Sequence, residues 1–389
     1  MEFALTDEQK MLKQTIRHFL DKECPSEFVR KCDEEQIYPE ELYQKMAEMG
    51  MFGLPYPEEY GGSNSPVLDF LMVAEEVGYT DFDIAAMYGQ SIFLGLSVLK
   101  WGTEEQKRRL IPGVIRGTQR LSISITEPNA GSDVGNIQTQ AVPETTAEPD
   151  GDYFMINGQK VFSTGAHLDN NLICVVCRTD KTVDYHKGMS VFLVDSSTPG
   201  VELRRLNTLG RKIVGTNEIF FNDVRVHKDQ LLGPLNQGWD VVMGSLGLER
   251  LFNCAAYTGC AQRVLDEAVE YAKQRVQFGK PIGNFQAIAH MLADVRAEIE
   301  AARLLTYRAG WLYSQGERCM TEISIAKLYG SETFQKATEV GMQVMGGYAY
   351  TMESNMQRYF RDARILTVSG GSSQMQRNAI ARSMGLKPQ

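Results

Sequence analysis

The sequence predicts an α+β protein of three domains, with a helical domain at residues 1–118, a β domain at 119–231 and a four-helix bundle at 232–389. With 389 residues the chain exceeds one typical domain, so several packed units are expected. Apolar residues recur at helical spacing in the first and third ranges. In the second, β-branched residues and glycine prevail between turn signals.

The N-terminal helices begin at recognisable signals. Thr6 to Gln9 and Thr103 to Gln106 are capping boxes, in which each side chain bonds the other residue's backbone. Pro39 marks another helix start, because the first turn of a helix leaves its N–H groups unpaired anyway. Two more helices are predicted at residues 68–77 and 84–101. The second is apolar on nearly all sides, which predicts that it is buried.

In the β domain, residues 153–162 are predicted to form a hairpin, because Asn157 and Gly158 make the preferred two-residue turn. Cys174 and Cys177 have the spacing of a redox or metal pair. They lie in an apolar run without further ligands, so packing in a buried strand is the better interpretation. Seven cysteines, an odd number, argue against a disulfide framework, and isolated histidines predict no metal site. Further strands are predicted at 172–177, 189–194, 218–221 and 224–226.

The C-terminal domain is predicted from one long helix at residues 238–274, which contains no proline. Three more helices follow at 288–315, 319–346 and 378–384, and four antiparallel helices make a bundle. The formal net charge of -9 argues against nucleic acid or an anionic membrane as partner. No run of about eighteen apolar residues occurs, so no membrane-spanning segment is expected. The acidic N-terminus is unlike a targeting segment and predicts a cytoplasmic protein.

Glu249 on the long helix lies on a mostly apolar face, near Leu246 and Phe252. A carboxylate in such a place needs a partner or a function, because burial raises its pKa. Both an ion pair with an arginine of another segment and a functional role are open from this pattern alone.

The long helix runs into a segment that matches the pattern R-x-x-F-G-x-x-(I/L)-x-x-x-Q through Arg275, Phe278 and Gln286. Here the chain resembles the acyl-CoA dehydrogenase family, flavoenzymes that oxidise an acyl-CoA thioester across its Cα–Cβ bond. The resemblance covers essentially the whole chain and implies the family's three-domain fold with a β-barrel-like middle domain. It also implies that these three residues reach the FAD of a neighbouring protomer, with Arg275 on the pyrophosphate.

Two segments of the β domain resemble the family's flavin site. Residues 124–133 resemble the signature ending TEPxAGSD, and residues 160–165 resemble the segment that places an aromatic ring and a threonine against the flavin. The resemblance implies that Phe162 contacts the isoalloxazine ring, where tryptophan is commoner, and that Thr164 lies near flavin N5. For the first segment it implies cofactor contacts through Ile123, Ile125, Thr126 and Ser132, and a substrate contact through Ser132.

Residues 343–350 resemble the family motif QxxGGxGY, with alanine in place of its last glycine. The resemblance implies that Gln343, Gly346 and Gly347 approach the adenosine side of FAD, because glycine lets the backbone come close to a ligand. Two residues of a later family segment, Ser372 and Gln374, are implied to contact FAD as well. No GxGxxG follows a strand, so a Rossmann site is not indicated.

The informative departure lies in residues 361–377, which align with the family segment RDxRIxxIYEGTSxxQ. Its glutamate is usually the catalytic base, and this chain has Gly370 there. A minority of the family, including isovaleryl-CoA and long-chain acyl-CoA dehydrogenases, carries the base on the long helix before an arginine, where Glu249 and Arg250 stand. The resemblance therefore implies that Glu249 takes the α-proton while a hydride passes to flavin N5. It further implies that the Gly370 N–H polarises the thioester carbonyl and that Arg250 belongs to the substrate site.

The leading hypothesis is an FAD-dependent acyl-CoA dehydrogenase that passes electrons to electron-transferring flavoprotein. Residues 369–372 together with a helix glutamate also resemble the crotonobetainyl-CoA reductase subgroup, which implies the same step in reverse. A flavin monooxygenase or oxidase on the same fold is a further alternative, although such relatives often lack both glutamates, and a non-catalytic acyl-CoA binder is another. Homotetramers are the family norm, and a partner's FAD at Arg275 and Gln343 requires at least a homodimer.

Overall fold

The computed structural model describes residues 4–134, 137–143, 151–183 and 187–388. His186, one of the histidines considered for a metal site, lies outside these residues. Helical domains at both ends flank a β-sheet domain, as the order of segments predicts.

The described part of the N-terminal domain contains six helices, α1 (Asp7–Glu23), α2 (Ser26–Glu35), α3 (Glu40–Glu48), α4 (Val67–Thr80), α5 (Phe82–Trp101) and α6 (Glu104–Ile115). Both predicted capping boxes are confirmed, since Thr6 accepts from the Gln9 N–H and Thr103 from the Gln106 N–H, each at 3.2 Å. Helix α3 begins directly after Pro39, as predicted.

Helix α5 lies in the middle of the packed helices. Among the described residues it alone is long and apolar enough to span a membrane by length and composition, although the sequence pattern leads us to expect no such segment. Within its most apolar window, 78% of the residues are buried inside the protein. It packs against α4 and α6, which is the environment of a core helix, and the predicted burial is confirmed.

The β domain is an eight-stranded sheet with the order β6-β7-β3-β2-β4-β5-β8, and β1 pairs in parallel with β4. Cys174 and Cys177 lie in β4 and are fully buried, as predicted. The strands are β1 (Arg120–Ser124), β2 (Gln140–Pro143), β3 (Tyr153–Thr164), β4 (Asn171–Arg178), β5 (Met189–Asp195), β6 (Val201–Leu206), β7 (Thr216–His227) and β8 (Leu231–Leu232).

The hairpin predicted at residues 153–162 is wrong, because β3 is one continuous strand that pairs with β7 along both halves. Asn157 and Gly158 form a bulge in this pairing instead of a turn. Gly158 has a φ of 141°, and a Cβ there would lie 2.6 Å from the hydroxyl of Thr139, so glycine is needed. The strands predicted at 218–221 and 224–226 are likewise two halves of β7, which bends at Asp223 with a φ of 51°.

In the C-terminal domain, α7 (Gly238–Gln274) has the bounds that the sequence predicts. It packs against α8 (Gln286–Ser314) and α9 (Met320–Met345), and α11 (Ser373–Ser383) packs on α9. A short hairpin of β9 (Val276–Gln277) and β10 (Lys280–Pro281) follows α7. No helix is predicted from the sequence at α10 (Asn355–Ala363), because the buried Arg358 and Asp362 interrupt its apolar stripe.

An ion pair and two hydrogen bonds of buried carboxylates join the three domains. The Nε of Arg358 on α10 bonds Asp81 at 3.0 Å. Asp83 on α5 accepts from the N–H of Ile213, at 2.8 Å, and Asp362 accepts from the N–H of Arg211, at 2.7 Å. Residues 211–213 belong to the β domain, so these contacts fix it against both helical domains.

Candidate active site

Arg250 connects helix α7 with the loop at residues 369–372. Its Nε donates a hydrogen bond to the carbonyl oxygen of Gly370 at 3.1 Å. A Cβ on Gly371 would lie 3.3 Å from one of its terminal nitrogens. Glu249 precedes Arg250 on the helix, so a single side chain joins the turn that carries this carboxylate to Gly370.

In this loop the carbonyl groups of both glycines, Gly370 and Gly371, are bonded, and their N–H groups are free. Lys327 Nζ donates to the carbonyl oxygen of Gly371 at 2.7 Å, and Gln376 Nε2 donates to the same oxygen at 2.9 Å. Gly370 and Gly371 have φ angles of 63° and 85°, which only glycine adopts without strain. In the described chain no hydrogen bond uses the N–H of either glycine. Free N–H groups on a fixed backbone are suited to stabilise negative charge on a carbonyl oxygen.

Glu249 is half-buried and stands without a direct partner. No hydrogen bond or ion pair of its carboxylate occurs within the described residues, so the interpretation as an ion pair with another segment's arginine finds no support. Burial raises the pKa of the Glu249 carboxyl above its ordinary value of 4.5, and the charge of the adjacent Arg250 opposes this shift only in part. A half-buried carboxylate with a raised pKa and no structural bond is available to exchange a proton.

Three contacts brace the end of β1 against the end of β3. The Val161 N–H donates to the carbonyl oxygen of Thr126 at 2.8 Å. The Ser124 and Ser163 hydroxyls lie 2.6 Å apart and are buried. The third contact is an ion pair between Lys160 and Glu127 at 2.7 Å. The three contacts hold residues 124–127 against residues 160–163. The structure therefore brings together the two segments that resemble the family's flavin site.

Phe162 stands out from this brace. Its φ is 64°, a left-handed backbone that is uncommon for a bulky residue, and its side chain is 63% exposed. Two residues further along, the carbonyl oxygen of Thr164 accepts a hydrogen bond from Gln90 Nε2 of α5, at 2.8 Å. The neighbouring Gly89 packs against the ring of Phe252, three positions after Glu249 on α7. Helix α5 is thus shared between the Phe162 segment and the Glu249 segment.

A second group of predicted residues lies at the far end of α7. Phe278 is 93% exposed, and the Arg275 guanidinium is 5.7 Å from the ring of Tyr348. Gly346 has open space where a Cβ would stand. Along a straight helix Arg275 is roughly 39 Å from Glu249, so this group and Glu249 do not converge within one chain. The other predicted members on this surface, all exposed, are Gln286, Gln343 and Gly347.

The other predicted site residues lie in different parts of the structure. Ser132 and Gln374 are exposed, and Ile123 and Ile125 are half-buried in the braced segment. The hydroxyl of Ser372 accepts from the Met375 N–H at 3.3 Å and caps α11.

Sequence reasoning missed Lys327 and Gln376, which both bond the glycine loop. The signal for Lys327 was present, because buried Ile323 and Ser331 lie four positions on either side of it in α9. A charged residue among such neighbours is the same pattern that singles out Glu249.

Comparison with known proteins places the chain in a family. Models described as the N-terminal, middle and C-terminal domains of acyl-CoA dehydrogenase match residues 6–118, 122–224 and 236–385. The 3-(aryl)acrylate reductase of Clostridium sporogenes is 35% identical over 97% of this chain and 99% of its own. The caffeyl-CoA reductase-Etf complex subunit CarC of Acetobacterium woodii is 36% identical over 97% and 98%. The structure of butyryl-CoA dehydrogenase from Megasphaera elsdenii superimposes with a TM-score of 0.92, at 31% identity over 99% and 100% of the two chains.

The chain belongs to the acyl-CoA dehydrogenase family. It is an FAD-dependent oxidoreductase that acts on the CH–CH group of acyl-CoA thioesters, as the predicted class requires. The described residues fit FAD. Phe162 offers an exposed aromatic face for a flat ring, while Arg275 beside the open backbone of Gly346 and Gly347 offers a cation for a diphosphate.

Proposed function

We propose that the enzyme dehydrogenates an acyl-CoA thioester between Cα and Cβ and that Glu249 is its base. The observation that supports this proposal is the bond from Arg250 to Gly370, because it joins the helix turn of Glu249 to the loop that resembles the family's usual base segment. Glu249 has the properties that the role requires, namely a raised pKa and no bond that would hold its proton or its charge.

In this mechanism the chain's own residues prepare the thioester for loss of a proton. The free N–H of Gly370 donates to the thioester carbonyl oxygen and stabilises the negative charge that develops there. Glu249 then accepts the α-proton, and its pKa, raised by burial, lies closer to the working pH than that of an exposed glutamate. FAD, when bound, supplies the acceptor for the hydride that leaves Cβ. Phe162 and Thr164 would contact its ring, and the loop from Ile123 to Ser132 would hold it.

A second candidate is the same step in reverse, the reduction of an enoyl-CoA. Two relatives with 35% and 36% identity are named as reductases of an arylacrylate and of caffeyl-CoA. Protonated Glu249 would then return a proton to Cα, and a raised pKa keeps that proton bound at higher pH. One relative's name also includes an Etf complex, which supports electron-transferring flavoprotein as the redox partner in either direction.

The same proposal includes an assembly of at least two chains, with a homotetramer as the expected form. Arg275 and Phe278 lie too far from Glu249 along α7 to serve the same FAD. They are therefore assigned to the FAD of a partner chain, together with Gln286, Gln343, Gly346 and Gly347. The domain limits at 118 and 231, the contacts of Ser372 and Gln374 with FAD and a cytoplasmic location stay predictions.

The test is an anaerobic titration of the purified protein with acyl-CoA thioesters while the flavin absorption is recorded. The panel runs from butyryl-CoA to palmitoyl-CoA and includes isovaleryl-, γ-butyrobetainyl- and 3-arylpropionyl-CoA. Bleaching by one member in the wild type, slowed by about 10²–10⁴-fold in Glu249→Gln, is expected. Glu270→Gln, an exposed carboxylate on the same helix, is the matched control and should bleach normally.

Bleaching that survives Glu249→Gln at the wild-type rate would overturn the base assignment. A yellow protein that no thioester bleaches, and whose reduced form no enoyl-CoA reoxidises, would favour a monooxygenase or oxidase. A protein that binds acyl-CoA but no FAD would favour the non-catalytic binder.

A further inference from the structure

The described chain gives Lys327 no carboxylate partner within ion-pair distance, although its side chain is only 1% exposed. Burying an ammonium group is costly unless hydrogen bonds compensate for the lost water. Here two backbone carbonyl oxygens do so, that of Gly371 at 2.7 Å and that of Leu366 at 2.9 Å. A side chain retained in such a place is expected to have a function beyond stability.

The two oxygens lie on either side of the segment that carries the Gly370 N–H. Leu366 lies in a short helical turn (Arg364–Thr367) after α10, and Gly371 follows Gly370 directly. Lys327 itself is fixed on α9, within a run of buried residues. Its ammonium therefore holds both ends of residues 367–370 against a rigid helix, while Arg250 holds the carbonyl of Gly370 from α7.

We propose that Lys327 is a positioning residue for the reaction, which fixes the direction of the Gly370 N–H toward the thioester carbonyl. The inference rests on the proposed function of Gly370 and deepens it. Lys327 touches neither substrate nor cofactor in this assignment. Its two bonds fix the carbonyl groups of Leu366 and Gly371 on either side of the Gly370 N–H. A small rotation of this N–H weakens polarisation of the carbonyl in the transition state.

Rate and affinity separate this role from a general structural one. We compare holoenzyme of the wild type with Lys327→Met, which keeps an unbranched apolar side chain of nearly the same length and removes the donors. With the thioester that bleaches the wild type, the limiting rate constant of flavin reduction should fall by about 10–100-fold. The Kd of the thioester should change by less than about threefold, because one misdirected hydrogen bond contributes less in the ground state than in the transition state, where charge develops on the oxygen. Lys327→Arg, which keeps the charge and donors, should recover part of the rate.

A spectroscopic signature tests the polarisation directly. The absorption maximum of a bound 3-arylacryloyl-CoA moves to longer wavelength when its thioester carbonyl is polarised. This shift should be smaller in Lys327→Met than in the wild type at saturating ligand. Lys336→Met is the control, because Lys336 lies on the same helix and bonds Glu298 at the surface. It should show the wild-type rate and the wild-type shift.

A wild-type limiting rate and a wild-type spectral shift in folded, flavin-loaded Lys327→Met would overturn the proposal, although the proposed function would stand. If this variant fails to fold, Lys327→Gln decides by the same two measurements, because its shorter, uncharged side chain cannot reproduce both bonds. An absence of bleaching in the wild type itself would instead refute the dehydrogenase function on which the inference rests.

Discussion

The Nε of Arg250 and the carbonyl oxygen of Gly370 are 3.1 Å apart, which links the two places where this family can hold its base. One of them carries Glu249 and the other a glycine with open space where a side chain would stand. Under the proposed function, Glu249 takes the place of the base that Gly370 cannot supply, and the Arg250 bond joins the two positions.

The pH dependence of flavin reduction should reveal Glu249. Burial raises the pKa of this carboxyl above 4.5, and only the deprotonated form accepts the α-proton. We therefore expect kcat/KM for dehydrogenation to rise with pH through an inflection above 4.5. The measurement is kcat/KM between pH 5 and 9 with one fixed thioester. An inflection that persists in residual activity of Glu249→Gln would assign it to another group.

The raised pKa of Glu249 also makes the unfolding free energy depend on pH in a defined direction. A carboxyl whose pKa is raised on folding contributes stability that is fully present below 4.5 and is lost as the pH rises through the raised value. The unfolding free energy of the wild type minus that of Glu249→Gln should therefore fall across this window and level off above it. Urea unfolding at several pH values measures this difference, and a constant difference would contradict the shift.

Moving the base should restore part of the activity. A Cβ at Gly370 would meet no atom within 4 Å, although the φ of 63° costs a residue with a Cβ about 1–2 kcal/mol. The double variant Glu249→Gln with Gly370→Glu should bleach at least about tenfold faster than Glu249→Gln alone. Glu249→Gln with Gly370→Gln has the same volume without a carboxylate and is the control. Equal rates in the two double variants would show that a carboxylate at this position does not reach the α-proton.

Much of the fold could be predicted because local signals and tertiary packing agree. The bounds of α7 and the two capping boxes follow from spacing and from hydrogen bonds within one turn. The hairpin at Asn157 and Gly158 failed because the same dipeptide suits a bulge, and the choice depends on pairing with β7, more than fifty residues away.

Only part of the candidate site could be predicted from the sequence, because the rest also depends on tertiary contacts. The pattern around Glu249 indicates a carboxylate in need of a function, but it contains no information about the loop that lies beside it. That Lys327 and Gln376 bond this loop depends on how α9 and α11 pack, and this is decided by tertiary contacts. The strained backbone of Phe162 also results from long-range contacts, because the pairing of β3 with β7 shifts register between Lys160 and Ser163.

The lowered pKa of Lys327 likewise predicts how the unfolding free energy depends on pH. Burial lowers the pKa of its ammonium from 10.5 to about 8. Between these values the unfolded chain binds a proton that the folded chain does not, so the unfolding free energy gains about 1.4 kcal/mol per pH unit from this group. This contribution is complete above 10.5 and is lost as the pH falls through about 8. The unfolding free energy of the wild type minus that of Lys327→Met should therefore rise from pH 8 to 10. The corresponding difference for Lys336→Met should not rise in this range. Nearby groups that contribute charge are Arg250, Cys254 and Glu332.

At position 162, glycine should be at least as stable as alanine, which reverses their usual order in a strand. In an ordinary strand position glycine is less stable than alanine by roughly 0.5–1 kcal/mol. At a φ of 64°, however, a Cβ is strained by about 1–2 kcal/mol, and glycine is not. Phe162→Gly should therefore unfold in urea at the same or a higher concentration than Phe162→Ala. Both variants lack the ring, so bound FAD stabilises them about equally and holoenzyme can be compared at one FAD concentration. Both should bind FAD more weakly than the wild type, since the exposed ring is proposed to contact the isoalloxazine. A clearly less stable Phe162→Gly would mean that the strand relaxes when the ring is removed, and that the ring itself causes the left-handed conformation.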